Sequence, residues 1–299
     1  MWLLGWLVAT LVVDESQGTW QVRVGQRVLA RESYEQCQPR VLLVERRGMT
    51  VGCRLEKGAR AADVRFVWDE RGERLLSRTE SAGWAGLGVR NGVVLLSDGE
   101  RQRSWAYEGG TFRRVAGGGR PKKMAPPPPQ IRLRQSSLLE LRKARPEAAK
   151  QGVLTIEERV EAWQRLNGRI WWAKGFYEGE GWQGVGGFGY FDEWTGERRS
   201  YAPRELVNWS VGAMLVERDA VWMALVSHGE WGDAGGGVWR FDRIREEMER
   251  LGGEGSIVCE MQRVGDDLVM ATDWGVMVWD GARMRRFAVD HQGELREGR

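Results

Sequence analysis

The chain has 299 residues, of which 42% are hydrophobic and 29% charged, which excludes both a disordered polymer and a bundle of membrane helices. Its 41 glycines and 17 tryptophans suit an all-β protein with frequent tight turns. A formal net charge of +3 does not by itself point to nucleic acid, and three cysteines without a C-x-x-C pair make no metal pattern.

Residues 1–13 are apolar apart from one glycine and one threonine, too short a run to span a bilayer. The run reads either as the core of a signal peptide or as a buried first strand, within a leader region 1–18. Cys37 and Cys53 either bridge in an exported protein or stay as buried thiols, as Cys259 would. Residues 19–116 are expected to form the first propeller-like units. Phe66, Val67, Trp68 and Asp69 run into a turn, and so do Trp105, Ala106, Tyr107 and Glu108.

The stretch 117–168 breaks this pattern. Gly117 to Gly119 and Pro126 to Pro129 read as a polyproline-type linker. The spacing predicts helices over 136–144 and 156–166. The second would start at a capping box, Thr155 with Glu158, and close on Asn167 and Gly168. From 113 to 150 there are 11 Lys or Arg against 2 Glu, a local net charge of +9. This is either a solvated linker or a docking segment for an acidic partner.

Residues 169–299 carry the clearest repeat. Three stretches end in alanine, at Ala173, Ala224 and Ala271. Each is followed by a loop and then by a second stretch opening on Gly186, Gly236 or Gly275 and closing on Asp192, Asp242 or Asp280. With an outer and an inner strand added, one unit holds about four strands, the content of a propeller blade. The acidic positions 69, 108, 192, 242 and 280 are spaced by 39, 84, 50 and 38 residues. Propeller blades run roughly 40–50 residues, so 84 is a double gap left by a degenerate or displaced blade. The expected fold is an all-β propeller of six to seven four-stranded blades with a Pro-rich, helical insertion.

The stretch from Pro203 through Val211, Trp222 and Ala224 to Asp242, together with Asp267, Leu268, Ala271 and Thr272, resembles the repeat of bacterial two-component-regulator propellers. The similarity is good over 168–290, weak over 60–115 and absent from the insertion. It implies a seven-bladed sensory propeller in the periplasm that binds a small molecule such as an oligosaccharide. In that family the propeller precedes a membrane span and a kinase. Neither is read in these residues, and whether they serve signalling is left open. The repeat is structural and implies no catalytic residue.

Candidate catalytic groups are few, since His228 and His291 are the only histidines. No triad, metal centre or phosphate-cradling loop is read, and no cofactor is expected. Three loops place tryptophan beside carboxylates: Trp182 with Glu178 and Glu180, Trp231 with Glu230, Asp233 and His228, and Trp274 with Asp273. An aromatic plane beside hydrogen-bond acceptors suits a sugar ring or a cation; packing between blades would also account for the tryptophans. The leading reading is a non-catalytic binding or sensing module for a small molecule, such as a carbohydrate, or a protein. It would be periplasmic or secreted if the leader is a signal peptide, and cytoplasmic otherwise. A scaffold using residues 113–150, and a hydrolase or lyase using the loop carboxylates, are the alternatives.

Overall fold

The computed structural model describes residues 9–33, 38–54, 61–116, 125–131, 133, 157–177, 184–229 and 232–298. Among these, apart from single 3-10 turns at Glu15–Gln17 and Arg204–Leu206, the regular structure is β, in six antiparallel sheets whose strands follow one another in chain order. Sheet 1 contains β1 (Ala9–Asp14), β2 (Thr19–Val24) and β3 (Arg27–Ser33). Sheet 2 contains β4 (Gln38–Glu45), β5 (Gly48–Arg54), β6 (Ala61–Trp68) and β7 (Leu75–Ala82). Sheet 3 contains β8 (Ala85–Arg90), β9 (Val93–Ser97), β10 (Gln102–Glu108) and β11 (Thr111–Val115). Sheet 4 contains β12 (Glu157–Leu166), β13 (Arg169–Tyr177), β14 (Gly187–Asp192) and β15 (Arg198–Tyr201). Sheet 5 contains β16 (Ser210–Val216), β17 (Ala220–Gly229), β18 (Gly232–Asp242) and β19 (Glu247–Glu254). Sheet 6 contains β20 (Val258–Val264), β21 (Asp267–Thr272), β22 (Gly275–Trp279), β23 (Met284–Val289) and a short β24 (Leu295–Glu297).

The acidic residues of the repeat have a local task. Oδ1 of Asp69, Asp192, Asp242 and Asp280 accepts from the backbone N–H groups two and three or four residues on, forming the hairpin turns. Asp98 and Asp290 do the same in turns the spacing did not mark. Glu108 instead ends β10, where its carbonyl accepts from the Thr111 hydroxyl.

Burial varies across each sheet as stacking requires. In the second strand of sheet 6, Leu268 to Ala271 are fully buried, because other sheets cover both of its faces. The outer strand β7 is exposed along nearly its whole length and carries Arg78 and Glu80, polar groups that discourage edge pairing. Ala173, Ala224 and Ala271 are all buried, and at Ala271 a neighbouring sheet passes close. A side chain at Gly86 of β8 would meet Ala271, so both partners must be small.

Core clusters join sheet 4 to sheet 5, sheet 5 to sheet 6, and sheet 6 to sheet 3. Sheets 1 and 2 share a separate cluster, and sheet 2 meets sheet 6 through Leu42, Leu43, Trp274 and Ala288. The chain is therefore an all-β, propeller-like stack in which sheet 3 neighbours the last sheet. Cys53 on β5 is disulfide-bonded and Cys259 is free; Cys37 lies outside the described residues.

One expectation is overturned. Residues 157–166 form a strand, not a helix. Asn167 and Gly168, at φ of 50° and 72°, form a two-residue hairpin turn, which needs the same left-handed pair as a helix end. Glu158, expected as a capping carboxylate, instead pairs with Lys174 Nζ at 2.9 Å, both side chains being buried. The other expected helix, 136–144, lies outside the described residues, as does most of the insertion.

Candidate functional site: a cavity walled by repeated bulges

The first strand of every sheet from 2 to 6 contains one extra residue relative to its neighbour. The register slips between Val41 and Leu43, Gly86 and Gly88, Val160 and Ala162, Val211 and Ala213, and Val258 and Glu260. A bulge leaves one residue out of the ladder and turns it away from the sheet. The residues so released are Leu42, Leu87, Glu161, Gly212 and Cys259. The last four line one cavity of about 570 Å³, bounded by β8, β12, β16 and β20, with Ala125 also in the wall. Leu42 faces the seam with sheet 6.

Polar side chains beside the bulges tie the walls together. Gln164 on β12 spans the seam to sheet 5, its Nε2 donating to Val216 O at 3.1 Å and its Oε1 accepting from Val216 N at 2.9 Å. From β20, Glu260 Oε2 accepts from Val89 N and Gln262 Oε1 accepts from Gly92 N, both at 3.1 Å. Arg159 donates to Glu161, which folds over Gly175. Trp163 Nε1 donates to Ala125 O at 2.9 Å.

Cys259 is open to water on its cavity side but otherwise enclosed by protein. Burial, with the Asp273 and Glu260 carboxylates, pushes its thiol up to about 11, so it stays protonated at neutral pH and is a poor nucleophile. The wall is a mixed surface of donors, acceptors and apolar groups such as Met214 and Met261, suited to a small polar molecule. Among the described residues no group of three or more His, Cys, Asp or Glu is placed to hold a metal ion.

Of the residues picked out in the sequence, Trp182, Glu180, Glu178, Trp231 and Glu230 lie outside the described residues. The other four fall in hairpins of equal rank in adjacent sheets, β17–β18 and β21–β22, at the end of the stack where β16 and β20 begin. His228 Nδ1 lies 2.9 Å from Asp233 Oδ1 across the first hairpin. Asp273 Oδ1 accepts from Ile257 N at 2.8 Å. The Trp274 ring packs over Gly52 and Leu42, where even a methyl group on Gly52 would collide with it. Glu161, Gln164, Cys259, Glu260 and Gln262 were missed, although the equivalence of 161, 212 and 259 follows from aligning the stretches that precede the three alanines.

No family model matches the chain, and no curated protein matches it. Among solved structures, it is similar to the extracellular domain of a hybrid two-component system from B. thetaiotaomicron, with 11% identity and a TM-score of 0.33. That match covers 99% of this chain, which spans 35% of the other's length. The β-propeller domain of the Trilobed protease from Pyrococcus furiosus matches 94% of this chain and 78% of its own, with 12% identity and a TM-score of 0.28. A Bacteroides uniformis protein described as a 6-phosphogluconolactonase matches 97% of this chain and 90% of its own, with 12% identity and a TM-score of 0.21.

Among the described residues no helix is long and apolar enough to cross a membrane.

Proposed function

We propose that this chain is a propeller-type binding or sensing module that holds a small polar molecule, a carbohydrate in the first instance, at the bulge-lined cavity and the hairpins beside it. The observation that carries the reading is the repeated bulge. Four sheets each release one residue at the equivalent point of their first strand, and all four released residues line one cavity large enough for a sugar ring. Asp273 ties that cavity to the hairpin end, because its Oδ1 accepts from the amide of Ile257, two residues before Cys259. In this reading the loop residues Trp182, Glu180, Trp231, Glu230, Asp233 and His228, with Asp273 and Trp274, take part in holding the ligand. A location outside the cytoplasm is part of the proposal, supported by the disulfide at Cys53.

The test is a thermal-shift screen of the full chain against neutral and acidic oligosaccharides, with Cys259→Phe to fill the cavity and Trp231→Ala at the entrance. A ligand at a hundred times its Kd stabilises the fold by about 2.7 kcal/mol. We expect a saturable shift that Cys259→Phe abolishes and Trp231→Ala weakens. Shifts of equal size in all three proteins would remove the cavity from the reading. No shift with any sugar would transfer the weight to a docking role for residues 113–150.

A further inference from the structure

A second, much smaller opening lies where sheet 2 meets sheet 6. It is a cleft of about 20 Å³, lined by Arg40, Ser256, Thr272, Trp274 and Arg286 over an apolar floor that includes Leu42 and Ala288. Space of that size takes one small polar group rather than a whole ring. Arg40 and Arg286 are 246 positions apart in the chain, and two consecutive carbonyls at the end of β19 hold them side by side. Arg40 Nη1 donates to Gly255 O at 2.8 Å, and Arg286 Nη2 donates to Glu254 O at 3.4 Å.

Neither arginine forms an ion pair among the described residues. Burial first, and then the neighbouring Arg286, push the Arg40 guanidinium down to about 10, while Asp273 is the carboxylate that opposes the shift. Two guanidinium groups against one carboxylate leave an excess positive charge at the cleft, where Arg40 is half-buried and Arg286 reaches it from the exposed side. A single negative charge would neutralise it, whereas a phosphate dianion would overshoot. The planar guanidinium fork matches a carboxylate in shape as well as in charge.

We propose that this cleft binds the carboxylate of a small organic acid between Arg40 and Arg286. Thr272 borders it with a hydroxyl that accepts from Trp274 N and keeps its proton to donate. The inference rests on the ligand-binding reading above and sharpens it: Trp274 borders the cleft and the Asp273 charge acts on Arg40, so the acid is the anionic end of the proposed ligand.

The test titrates the full chain with D-glucuronate, acetate, sulfate and D-glucose at constant ionic strength, by calorimetry and thermal shift. Arg286→Gln and Arg40→Gln are compared with the parent. Arg286 is exposed, so its variant is expected to fold even if the Arg40 variant does not. We expect saturable glucuronate binding that acetate competes away and glucose does not, weakened at least tenfold, about 1.4 kcal/mol, in Arg286→Gln. Glucuronate binding that Arg286→Gln leaves unchanged would overturn the site. So would equal binding of glucose and glucuronate, although the wider ligand-binding reading would then stand. Failure of glucuronate and acetate to bind, or sulfate binding better than either, would overturn the carboxylate assignment while a neutral-sugar shift could still uphold the cavity.

Discussion

Between sheets 4 and 5, Gln164 reaches across to both backbone groups of Val216, and between sheets 6 and 3 Glu260 and Gln262 reach the backbone at Val89 and Gly92. Sheets 1 and 2 are joined differently. Their shared cluster is apolar, with Trp20 meeting Phe66 edge to face at 5.8 Å between centroids, and ion pairs such as Arg78 with Glu32 hold the outer edge. The bulge residue follows this division only in part. Leu42, covered by sheet 6, is apolar, whereas the cavity wall is mixed: Leu87 is apolar, Glu161 is polar, and Gly212 and Cys259 are small. One backbone device thus serves two ends. Against another sheet it makes packing, and around a cavity it releases side chains while polar neighbours fasten the walls.

Three substitutions probe this contrast, beginning with the largest effect. Trp20→Ala removes a fully buried ring from the sheet 1–2 cluster and should cost about 3–5 kcal/mol in urea unfolding, because a close-packed apolar seam collapses poorly around a hole. Ligand binding at the cavity should survive it under conditions where the variant remains folded.

Asp63 on β6 gives a pH-dependent version of the test. Burial pushes its carboxyl up to about 7, against one favourable hydrogen bond from the Trp84 backbone, and Oδ1 has no partner among the described residues. The folded state holds this proton more tightly than the unfolded chain, so stability is greatest below about pH 4 as far as this group is concerned. It declines as pH rises to about 7, by about 4 kcal/mol at 1.36 kcal/mol per pH unit. Asp63→Asn should flatten that slope and leave the variant more stable than the parent at pH 8, measured by chemical unfolding across the range. An unchanged slope would mean that the carboxyl is hydrated.

The smallest change is Gln164→Ala. Loss of both bonds to Val216 should cost about 1–3 kcal/mol and loosen the wall between sheets 4 and 5. Faster hydrogen exchange at the Val216 amide, with the sheet 1–2 amides unaffected, would confirm that the seams around the cavity depend on polar bridges.

Several of these features could be read from residues close together in the chain. The aspartates at 69, 192, 242 and 280 mark real turns, because an Asx turn needs only its own next few residues. The buried central strands and their alanines were likewise legible. The first strand of sheet 4 was not, and the bulge at Glu161 explains why. The extra residue breaks the two-residue alternation, so Val160, Trp163 and Leu166 fall at a spacing that imitates a helix. The loop tryptophans show a similar limit. In sequence Trp274 reads equally as a platform or a plug, and its contact with Gly52 comes from a sheet more than two hundred residues earlier.

The chain's own order was therefore enough to specify hairpins, turns and the all-β class, since these depend on side-chain alternation and on hydrogen bonds within a few residues. Which sheets would be neighbours, where the strands would bulge, and that Arg40 would meet Arg286 were decided by tertiary packing. Those contacts join residues far apart in the chain, and the bulges depend on how twisted sheets pack against one another and around the cavity.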